Sequence, residues 1–130
     1  MKSWVYRVLK ERKLLNNVNK SISILGIAYK ENTNSTKNSP SLKLIKSLKG
    51  KNIRVYDPKA KLNIKQKNCK QFKNIKETLL KSNILILMVP WNEFKNIKLK
   101  KNIRFIIDPF RILRNKEFLK KRVKYFSLVK

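Results

Sequence analysis

The sequence predicts an α/β fold, a three-layer sandwich with a mainly parallel five-stranded sheet, preceded by an N-terminal amphipathic helix. Two observations indicate this class. Apolar runs of strand length alternate along the chain with segments of helical spacing, a pattern typical of parallel sheets that carry helices on both faces. The strongest strand, residues 84–89, is continuously apolar, as expected of a strand that is covered on both faces.

The first three elements are predicted from apolar spacing and from capping residues. Residues 3–15 place apolar side chains at helical spacing among charges, and these are Trp4, Val5, Val8, Leu9 and Leu15. Residues 21–27 form a short apolar run bounded by polar residues, which predicts a buried strand. A second helix is expected to begin with Ser39 as N-cap and Pro40 in its first turn, and to end near Gly50.

The remaining elements continue the alternation. Four further strands are expected at residues 52–56, 84–89, 103–107 and 123–128. Short helices are expected at residues 75–80 and 116–121. Residues 59–71 are polar and rich in lysine, so we interpret them as an exposed connection.

The composition describes a globular chain of 130 residues with an extreme positive charge. It has 34 Lys and Arg against 7 Asp and Glu, no His, and a formal net charge of +27. Such a charge attracts polyanions, but the lysines are spread over every segment and no recognised nucleic-acid module is present. We therefore favour a solvated surface over a dedicated nucleic-acid interface, with nucleic acid bound only non-specifically.

The cysteine and apolar patterns bear on the compartment. Cys69 is the single cysteine, which excludes an internal disulfide and suits a reducing compartment. Without a neighbouring His or a second metal ligand, it is expected to be an inert thiol. Residues 1–15 lack the apolar core of a signal peptide, and the longest apolar stretch, residues 84–89, is too short to span a bilayer. We expect a cytoplasmic protein without a membrane partner.

Residues 20–43 have the order of an anion site. A strand is followed by a polar loop with Lys30 and Lys37, and then by a helix N-terminus with unpaired N–H groups and a positive dipole end. The glycine-rich phosphate motifs GxGxxG and GxxxxGK[ST] are missing. On spacing alone, an ordinary strand-to-helix connection with solvated lysines explains the pattern equally well.

Other candidate residues follow later strands. Ligands of open parallel sheets bind beyond the carboxyl ends of the strands, so the loop at residues 29–37, Trp91 and Arg111 are expected at one edge. Arg111 could bind phosphate, or could instead form a salt bridge with Asp108 or another acid. Trp91 could stack on a base, or could be a buried cap over the edge of the sheet, and both roles are left open.

Asp57 ends the second predicted strand, where an acid can hold a ribose hydroxyl in a dinucleotide fold. Its distance in sequence from Gly26 is longer than that motif requires, and the glycine fingerprint is missing. We therefore favour a strand-ending turn residue for Asp57.

Four motifs, in order across residues 20–112, carry a family resemblance. They are Gly26-Ile27-Ala28-Tyr29-Lys30 with Asn32-Thr33 and Ser39-Pro40-Ser41, then Val55-Tyr56-Asp57-Pro58, Trp91-Asn92-Glu93-Phe94 and Ile107-Asp108-Pro109-Phe110-Arg111. This set resembles the C-terminal, nucleotide-sugar-binding domain of the UDP-glucose/GDP-mannose dehydrogenase family. Two positions depart from the family pattern, with Ser35 for an acid and Lys37 for an arginine, and a lysine cannot make the bidentate fork of an arginine.

The resemblance implies a Rossmann-like sandwich that binds a UDP-sugar, or a GDP-sugar, as its ligand. It implies that Lys30 and Arg111 contact the sugar nucleotide and that Tyr29 and Thr33 belong to the same binding loop. No catalytic residue and no metal ligand is expected in this chain.

Enzymes of the family use NAD to oxidise a sugar primary alcohol to a carboxylate through a covalent thiohemiacetal. This chemistry needs an NAD domain and a central domain with a nucleophilic cysteine, and these 130 residues show the pattern of neither. We expect residues 1–18 to be a helix at the junction to a central domain, with exposed apolar residues, and residues 19–130 to be the nucleotide-sugar-binding domain. Alone it would bind no cofactor and be inactive, and it could complement a chain that carries the other two domains. The alternatives are a free-standing nucleotide binder and a basic polyanion-binding protein.

Overall fold

The computed structural model describes residues 2–16, 21–113 and 123–128. The elements in chain order are helix α1 (Lys2–Glu11), strand β1 (Ser21–Leu25), helix α2 (Pro40–Ser47), strand β2 (Asn52–Tyr56), strand β3 (Cys69–Gln71), helix α3 (Ile75–Leu79), strand β4 (Ser82–Leu87), a 3-10 helix (Asn92–Asn96), strand β5 (Phe105–Ile107) and strand β6 (Lys124–Phe126). The helix predicted at residues 116–121 lies outside the described residues. Within the described ranges, no helix is long and apolar enough to cross a membrane.

The six strands of the described residues are all parallel and form one sheet in the order β3-β2-β1-β4-β5-β6. Strand β1 lies at the centre of the sheet, and β2 and β3 follow outwards on one side of it. The chain then returns, and β4 pairs with the other side of β1. Because parallel connections are right-handed, this reversal puts α2 and α3 on opposite faces of the sheet. Helix α1 packs on α2. The predicted α/β sandwich is therefore confirmed.

The predicted number of strands is wrong, because the part of the chain that the structure describes already forms a sheet of six strands and not five. The additional strand, β3, lies within residues 59–71, which were expected to be an exposed connection. It has three residues with the sequence CKQ, it forms the edge of the sheet, and none of its residues is fully buried. So short and polar a strand shows neither an apolar run nor alternation, and it forms because β2 offers it a free edge for pairing.

The core lies on both sides of the two central strands. Every residue of β4 is buried, as are four of the five residues of β1. Val5 and Leu9 of α1 are completely buried in the same core. The expectation that the first helix would expose its apolar residues is therefore wrong for these two side chains, because α2 and the core cover them.

The end of β1 is fixed by a close approach of Gly26 to the end of β4. Gly26 has φ +98°, and a Cβ at this position would lie 2.6 Å from Val89 Cβ and 2.9 Å from Val89 N. An ordinary side chain therefore fits neither the backbone conformation nor the space. Glycine here allows the loops after β1 and β4 to leave the sheet side by side.

We expect Gly26→Ala to destabilise the fold more than Gly50→Ala does. Gly50 is also left-handed, with φ +90°, but has open space around its Cβ position, so alanine there costs about 1–2 kcal/mol of backbone strain. Gly26→Ala adds steric overlap with Val89, for a total of about 2–5 kcal/mol. Urea unfolding of both variants measures the difference, and equal losses would show that the contact with Val89 is not a constraint.

Candidate functional site

The loop after β1 is held by the carboxylate of Asp57, at the end of β2. Asp57 Oδ2 accepts hydrogen bonds from the backbone N–H of Ile27 at 2.8 Å and of Ala28 at 2.9 Å. Oδ1 accepts from the N–H of Lys59 at 2.9 Å and of Ala60 at 2.8 Å. Bonds of this kind to an ionised, buried group are among the strong ones. Asp57 therefore joins two neighbouring strand-end loops.

These bonds decide between the two roles considered for Asp57. A carboxylate offers about four acceptor positions. Four backbone N–H groups already occupy the Asp57 carboxylate, so it has no position left for a ribose hydroxyl. The favoured role as a strand-ending turn residue agrees with this geometry, and Asp57 additionally anchors the loop of the adjacent strand.

Two serines tie the same loop to the beginning of α2. The Ser39 hydroxyl donates to the carbonyl oxygen of Ile27 at 2.8 Å, and the Ser41 hydroxyl donates to that of Gly26. Both serines are buried. The residues that end β1 are thus held from β2 on one side and from α2 on the other.

The predicted cap of α2 is confirmed, but the expected row of free N–H groups is not found. Ser39 is the N-cap and accepts from the N–H of Leu42 at 3.3 Å, and Pro40 begins the helix. Pro40 has no N–H, and the N–H of Lys43 bonds to the carbonyl of Ser39. Of the first turn, at most the N–H of Ser41 remains for an anion. The helix N-terminus therefore serves chiefly to anchor the loop.

The polar loop after β1 closes through Ser35. The N–H of Tyr29 donates to the carbonyl of Ser35 at 2.7 Å. The N–H of Ser35 donates to Thr33 Oγ1 at 3.2 Å, and the Ser35 hydroxyl accepts from the N–H of Lys37 at 3.3 Å. The serine that replaces the family's acid thus closes the loop, and Lys30 is exposed within it.

Thr33 lines an open depression of 520 Å³ together with Asn32, Asn34 and Lys59. Lys59 was not predicted as a site residue. It follows Asp57 in the turn after β2, so the rule that ligands bind at strand ends would have identified it. The depression brings a second lysine to the loop that carries Lys30.

Arg111 is positioned by Asp108 through the turn that follows β5. Asp108 is 0% exposed, its carbonyl accepts from the N–H of Arg111 at 3.1 Å, and its Oδ2 accepts from the N–H of Leu113 at 2.8 Å. The hydroxyl of Tyr125 on β6 donates to the same Oδ2 at 2.7 Å. Arg111 has φ 55°, a left-handed conformation that is strained for arginine. The turn is therefore fixed to the neighbouring strand.

The surroundings of Tyr56 and Tyr125 raise the pKa of both phenols and so favour their protonated, neutral form. Burial raises the pKa of Tyr125, and its hydrogen bond to Asp108 raises the pKa further, while the charge of Arg111 acts in the opposite direction. Burial also raises the pKa of Tyr56 to about 12, together with its hydrogen bond of 3.1 Å to Glu93 Oε2.

The loops that carry Lys30 and Arg111 leave the same edge of the sheet. They follow β1 and β5, which are separated only by β4, so at the usual spacing of parallel strands they begin about 10 Å apart. Tyr29, 53% exposed, precedes the lysine, and Phe110, 37% exposed, precedes the arginine. We call the region of Tyr29, Lys30, Thr33 and Arg111 the carboxyl-edge site. Phe110 was missed because its exposure depends on the turn after β5.

Trp91 lies at this edge but is only 6% exposed. Its backbone N–H donates to the carbonyl of Val89 at 2.9 Å, and its backbone carbonyl accepts from the N–H of Phe94 at 3.1 Å, whereas its indole Nε1 is buried without a hydrogen-bond partner among the described residues. Of the two roles left open, this burial favours the cap over the sheet edge. Stacking on a base stays a prediction that requires one face of the ring to become accessible.

Cys69 lies in the edge strand β3 and is partly buried. Burial raises the pKa of its thiol to about 11. Because the thiolate is the reactive form, this thiol is a poor nucleophile at neutral pH, in agreement with the expected inert role.

The parallel sheet, with its reversal of strand order between β1 and β4, has the topology of a Rossmann-type α/β domain. The model of the UDP-glucose/GDP-mannose dehydrogenase family, UDP binding domain, matches residues 23–115. The chain belongs to this family.

Curated relatives include UDP-glucose 6-dehydrogenase of Rickettsia prowazekii (strain Madrid E), 31% identical over 103 residues, 74% of this chain and 24% of the relative. UDP-N-acetyl-D-mannosamine dehydrogenase of Methanococcus vannielii is 32% identical over 95 residues, 70% of this chain and 21% of the relative. The chain thus spans about a quarter of the length of the relatives it matches. Neither comparison supports the polyanion-binding alternative.

Solved structures show the same fold. NDP-N-acetyl-D-galactosaminuronic acid dehydrogenase from Methanosarcina mazei Go1 superposes with a TM-score of 0.77 at 17% identity, covering 97% of this chain and 28% of the other. A UDP-glucose dehydrogenase from Pyrobaculum islandicum gives a TM-score of 0.74 at 17% identity, covering 96% of this chain and 28% of the other.

We expect Asp57→Asn to destabilise the chain by roughly 2–4 kcal/mol, because an amide NH₂ would face two of the four buried N–H donors. Urea unfolding measures the loss, and amide exchange at Ile27 and Ala28 shows whether the loop is released. Glu11→Gln, which neutralises an exposed acid on α1, is the matched control and is expected to be close to neutral. If the two variants were equally stable, Asp57 would not be the anchor.

Stability is expected to fall as the pH rises above 10, partly because of Tyr56 and Tyr125. Their folded-state pKa is raised above the ordinary value of 10.0, so the native state holds these protons more tightly than the unfolded state. Their contribution is complete below pH 10 and is lost as the pH rises through the folded-state pKa, which for Tyr56 is about 12.

Urea unfolding at a series of alkaline pH values should therefore give a shallower decline for the double variant Tyr56→Phe, Tyr125→Phe than for the unmodified chain. The lysines contribute the same background to both proteins. An identical decline in both would show that these two phenols are not responsible.

Proposed function

We propose that this chain is the nucleotide-sugar-binding domain of an NAD-dependent dehydrogenase of its family, and that it binds the diphosphate of a UDP-sugar at the carboxyl-edge site. One observation carries the proposal. The loops after β1 and β5 leave the same edge, each is fixed by a buried aspartate, and each presents a cation beside an exposed aromatic side chain.

The chemistry of these groups suits a sugar nucleotide. The guanidinium of Arg111 can bind phosphate oxygens in a bidentate fork, and the Lys30 ammonium adds a mobile point charge. Tyr29 and Phe110 offer aromatic surface to the base or the sugar, and the Thr33 hydroxyl can donate a hydrogen bond. Lys59 lines the same depression as Thr33 and is a further candidate for a phosphate contact.

We favour a UDP-sugar over a GDP-sugar. Both curated relatives described above are named for UDP-sugars. The Trp91-Asn92-Glu93-Phe94 motif also resembles the UDP-glucose branch of the family more than the GDP-mannose branch.

The oxidation itself requires more than this domain. The raised pKa of Cys69 argues against its being the nucleophile that forms the thiohemiacetal. We propose that NAD and the reactive cysteine are supplied by other parts of a longer protein or by a partner chain that carries the NAD and central domains, and that these residues contribute binding of the substrate. Residues 1–18 would then lie at the junction to the central domain.

Calorimetric titration with UDP-glucose tests the site. We expect saturable binding with one ligand per chain, and a loss of about 10- to 100-fold in affinity for Lys30→Ala or Arg111→Ala, since a hydrogen bond to a charged group contributes about 1.5–3 kcal/mol. Lys46→Ala, which removes an exposed lysine from the last turn of α2, is the matched control and should bind as the unmodified chain does.

The same titrations at increasing salt separate pocket binding from general attraction to a polycation. Binding that falls steeply with salt and ignores all three substitutions would indicate a polyanion surface and would exclude the proposed site. Failure of UDP-glucose, UDP and GDP-mannose to bind at millimolar concentration would also refute it.

A further inference from the structure

Strand β6 pairs with β5 at one side of the described sheet, and it carries Tyr125. In the parallel register Tyr125 lies opposite Ile106, and the ladder extends one bond further, from the N–H of Asp108 to the carbonyl of Phe126 at 2.8 Å. Because side chains alternate along a strand, Ile106 and Asp108 lie on the same face, roughly 6.6 Å apart along the chain. The long side chain of Tyr125 spans this distance, and its hydroxyl meets the Asp108 carboxylate at 2.7 Å.

The carboxylate of Asp108 is hydrogen-bonded at one oxygen, whereas both oxygens of the Asp57 carboxylate are bonded. Its Oδ2 accepts from the backbone N–H of Leu113 at 2.8 Å and from the Tyr125 hydroxyl. Its Oδ1 is buried and has no hydrogen-bond partner among the described residues. Leu113 belongs to the segment that Asp108 itself begins. The bond from Tyr125 therefore ties this carboxylate to a neighbouring strand.

Arg111 lies within the segment that Asp108 holds, between residues 108 and 113. Its backbone N–H donates to the carbonyl of Asp108 at 3.1 Å, and its φ of 55° is a left-handed conformation that persists for a large side chain only where the surroundings hold it. Burial and the bond to Asp108 raise the pKa of Tyr125, and the charge of Arg111 partly opposes this effect. The guanidinium is therefore within electrostatic range of the phenol.

We propose that Tyr125 is a positioning residue for the sugar nucleotide: through Asp108 it holds the turn after β5 so that the Arg111 guanidinium meets the diphosphate. The inference rests on the proposed function of the carboxyl-edge site. A bidentate contact requires the plane of the guanidinium to face the phosphate oxygens, so it depends on how the turn presents the side chain more than a lysine contact does. A turn that is fixed before the ligand arrives also avoids an ordering cost on binding.

Calorimetric titration of the variant Tyr125→Phe with UDP-glucose tests this role. The substitution removes the hydroxyl and keeps the ring, so the packing of β6 is retained. We expect the affinity to fall about 3- to 10-fold, the effect of losing one hydrogen bond of ordinary strength. Amide exchange at Arg111 and Leu113 should become faster, because the turn opens more readily without this bond.

Tyr56→Phe is the matched control, because it also removes a phenol that donates to a carboxylate, Glu93 Oε2 at 3.1 Å. Glu93 is not a residue of the carboxyl-edge site, so the affinity for UDP-glucose should be unchanged. Both variants are titrated well below their melting temperatures, so that unfolding does not lower the measured affinity.

A double-mutant cycle separates positioning from a general loss of structure. In the Arg111→Ala background, Tyr125→Phe should change the affinity by less than about twofold, because no guanidinium remains to be positioned. Its effect on the melting temperature should be similar in both backgrounds, since the bond to Asp108 is lost in each.

Three outcomes would contradict the inference. Equally tight binding of UDP-glucose by Tyr125→Phe and by the unmodified chain would overturn it and leave the proposed function in place. An equal loss of affinity with and without Arg111 would also overturn it, because Tyr125 would then act on the fold as a whole. If the unmodified chain binds no UDP-glucose, the proposed function fails first and the inference fails with it.

Discussion

The hydrogen bonds from four backbone N–H groups to the Asp57 carboxylate are the constraint on which the loops at the carboxyl edge depend. A buried carboxylate is costly unless its acceptor positions are filled, and here the main chain fills them. Because Asp57 bonds to both loops, it fixes the position of the loop after β1 relative to the loop after β2. Asp108 holds the turn after β5 through Oδ2 alone, which accepts from the N–H of Leu113 and the hydroxyl of Tyr125, while its Oδ1 is buried without a hydrogen-bond partner among the described residues. The loops that carry Lys30 and Arg111 are therefore each held by hydrogen bonds to a buried aspartate.

The reversal of strand order explains why the loops at the carboxyl edge need these hydrogen bonds. Between β1 and β4 the crossover connections run to opposite faces of the sheet, the arrangement at which open parallel sheets generally bind their ligands. Gly26 lets the segments after β1 and β4 leave this point in contact, because Val89 occupies the space that a side chain at residue 26 would need. At the amino edge the end of α1 instead lies near the start of β4, where Arg12, Lys13 and Asn83 line one cavity. The two edges of one sheet thus carry different chemistry.

The sequence predicted those features that a local signal determines. The continuous apolar run of residues 84–89 identified the central strand, and Ser39-Pro40 identified the start of α2. It could not predict β3, whose pairing is supplied by β2 and not by its own residues. Nor could it show that Ser39 and Ser41 would bond to the end of β1, or that Phe110 would be exposed. These depend on contacts between segments distant in sequence, and the candidate site was therefore less predictable than the fold.

The net charge of +27 constrains the function less than its size suggests. Charge of this kind speeds the encounter with any anion and is screened by salt, so it cannot select one ligand. Selection requires groups whose positions are set before the ligand arrives, since only these avoid an ordering cost on binding. The turn that carries Arg111 meets this condition, because hydrogen bonds to Asp108 fix its backbone. For specificity, Arg111 is therefore expected to matter more than the exposed lysines that supply most of the net charge.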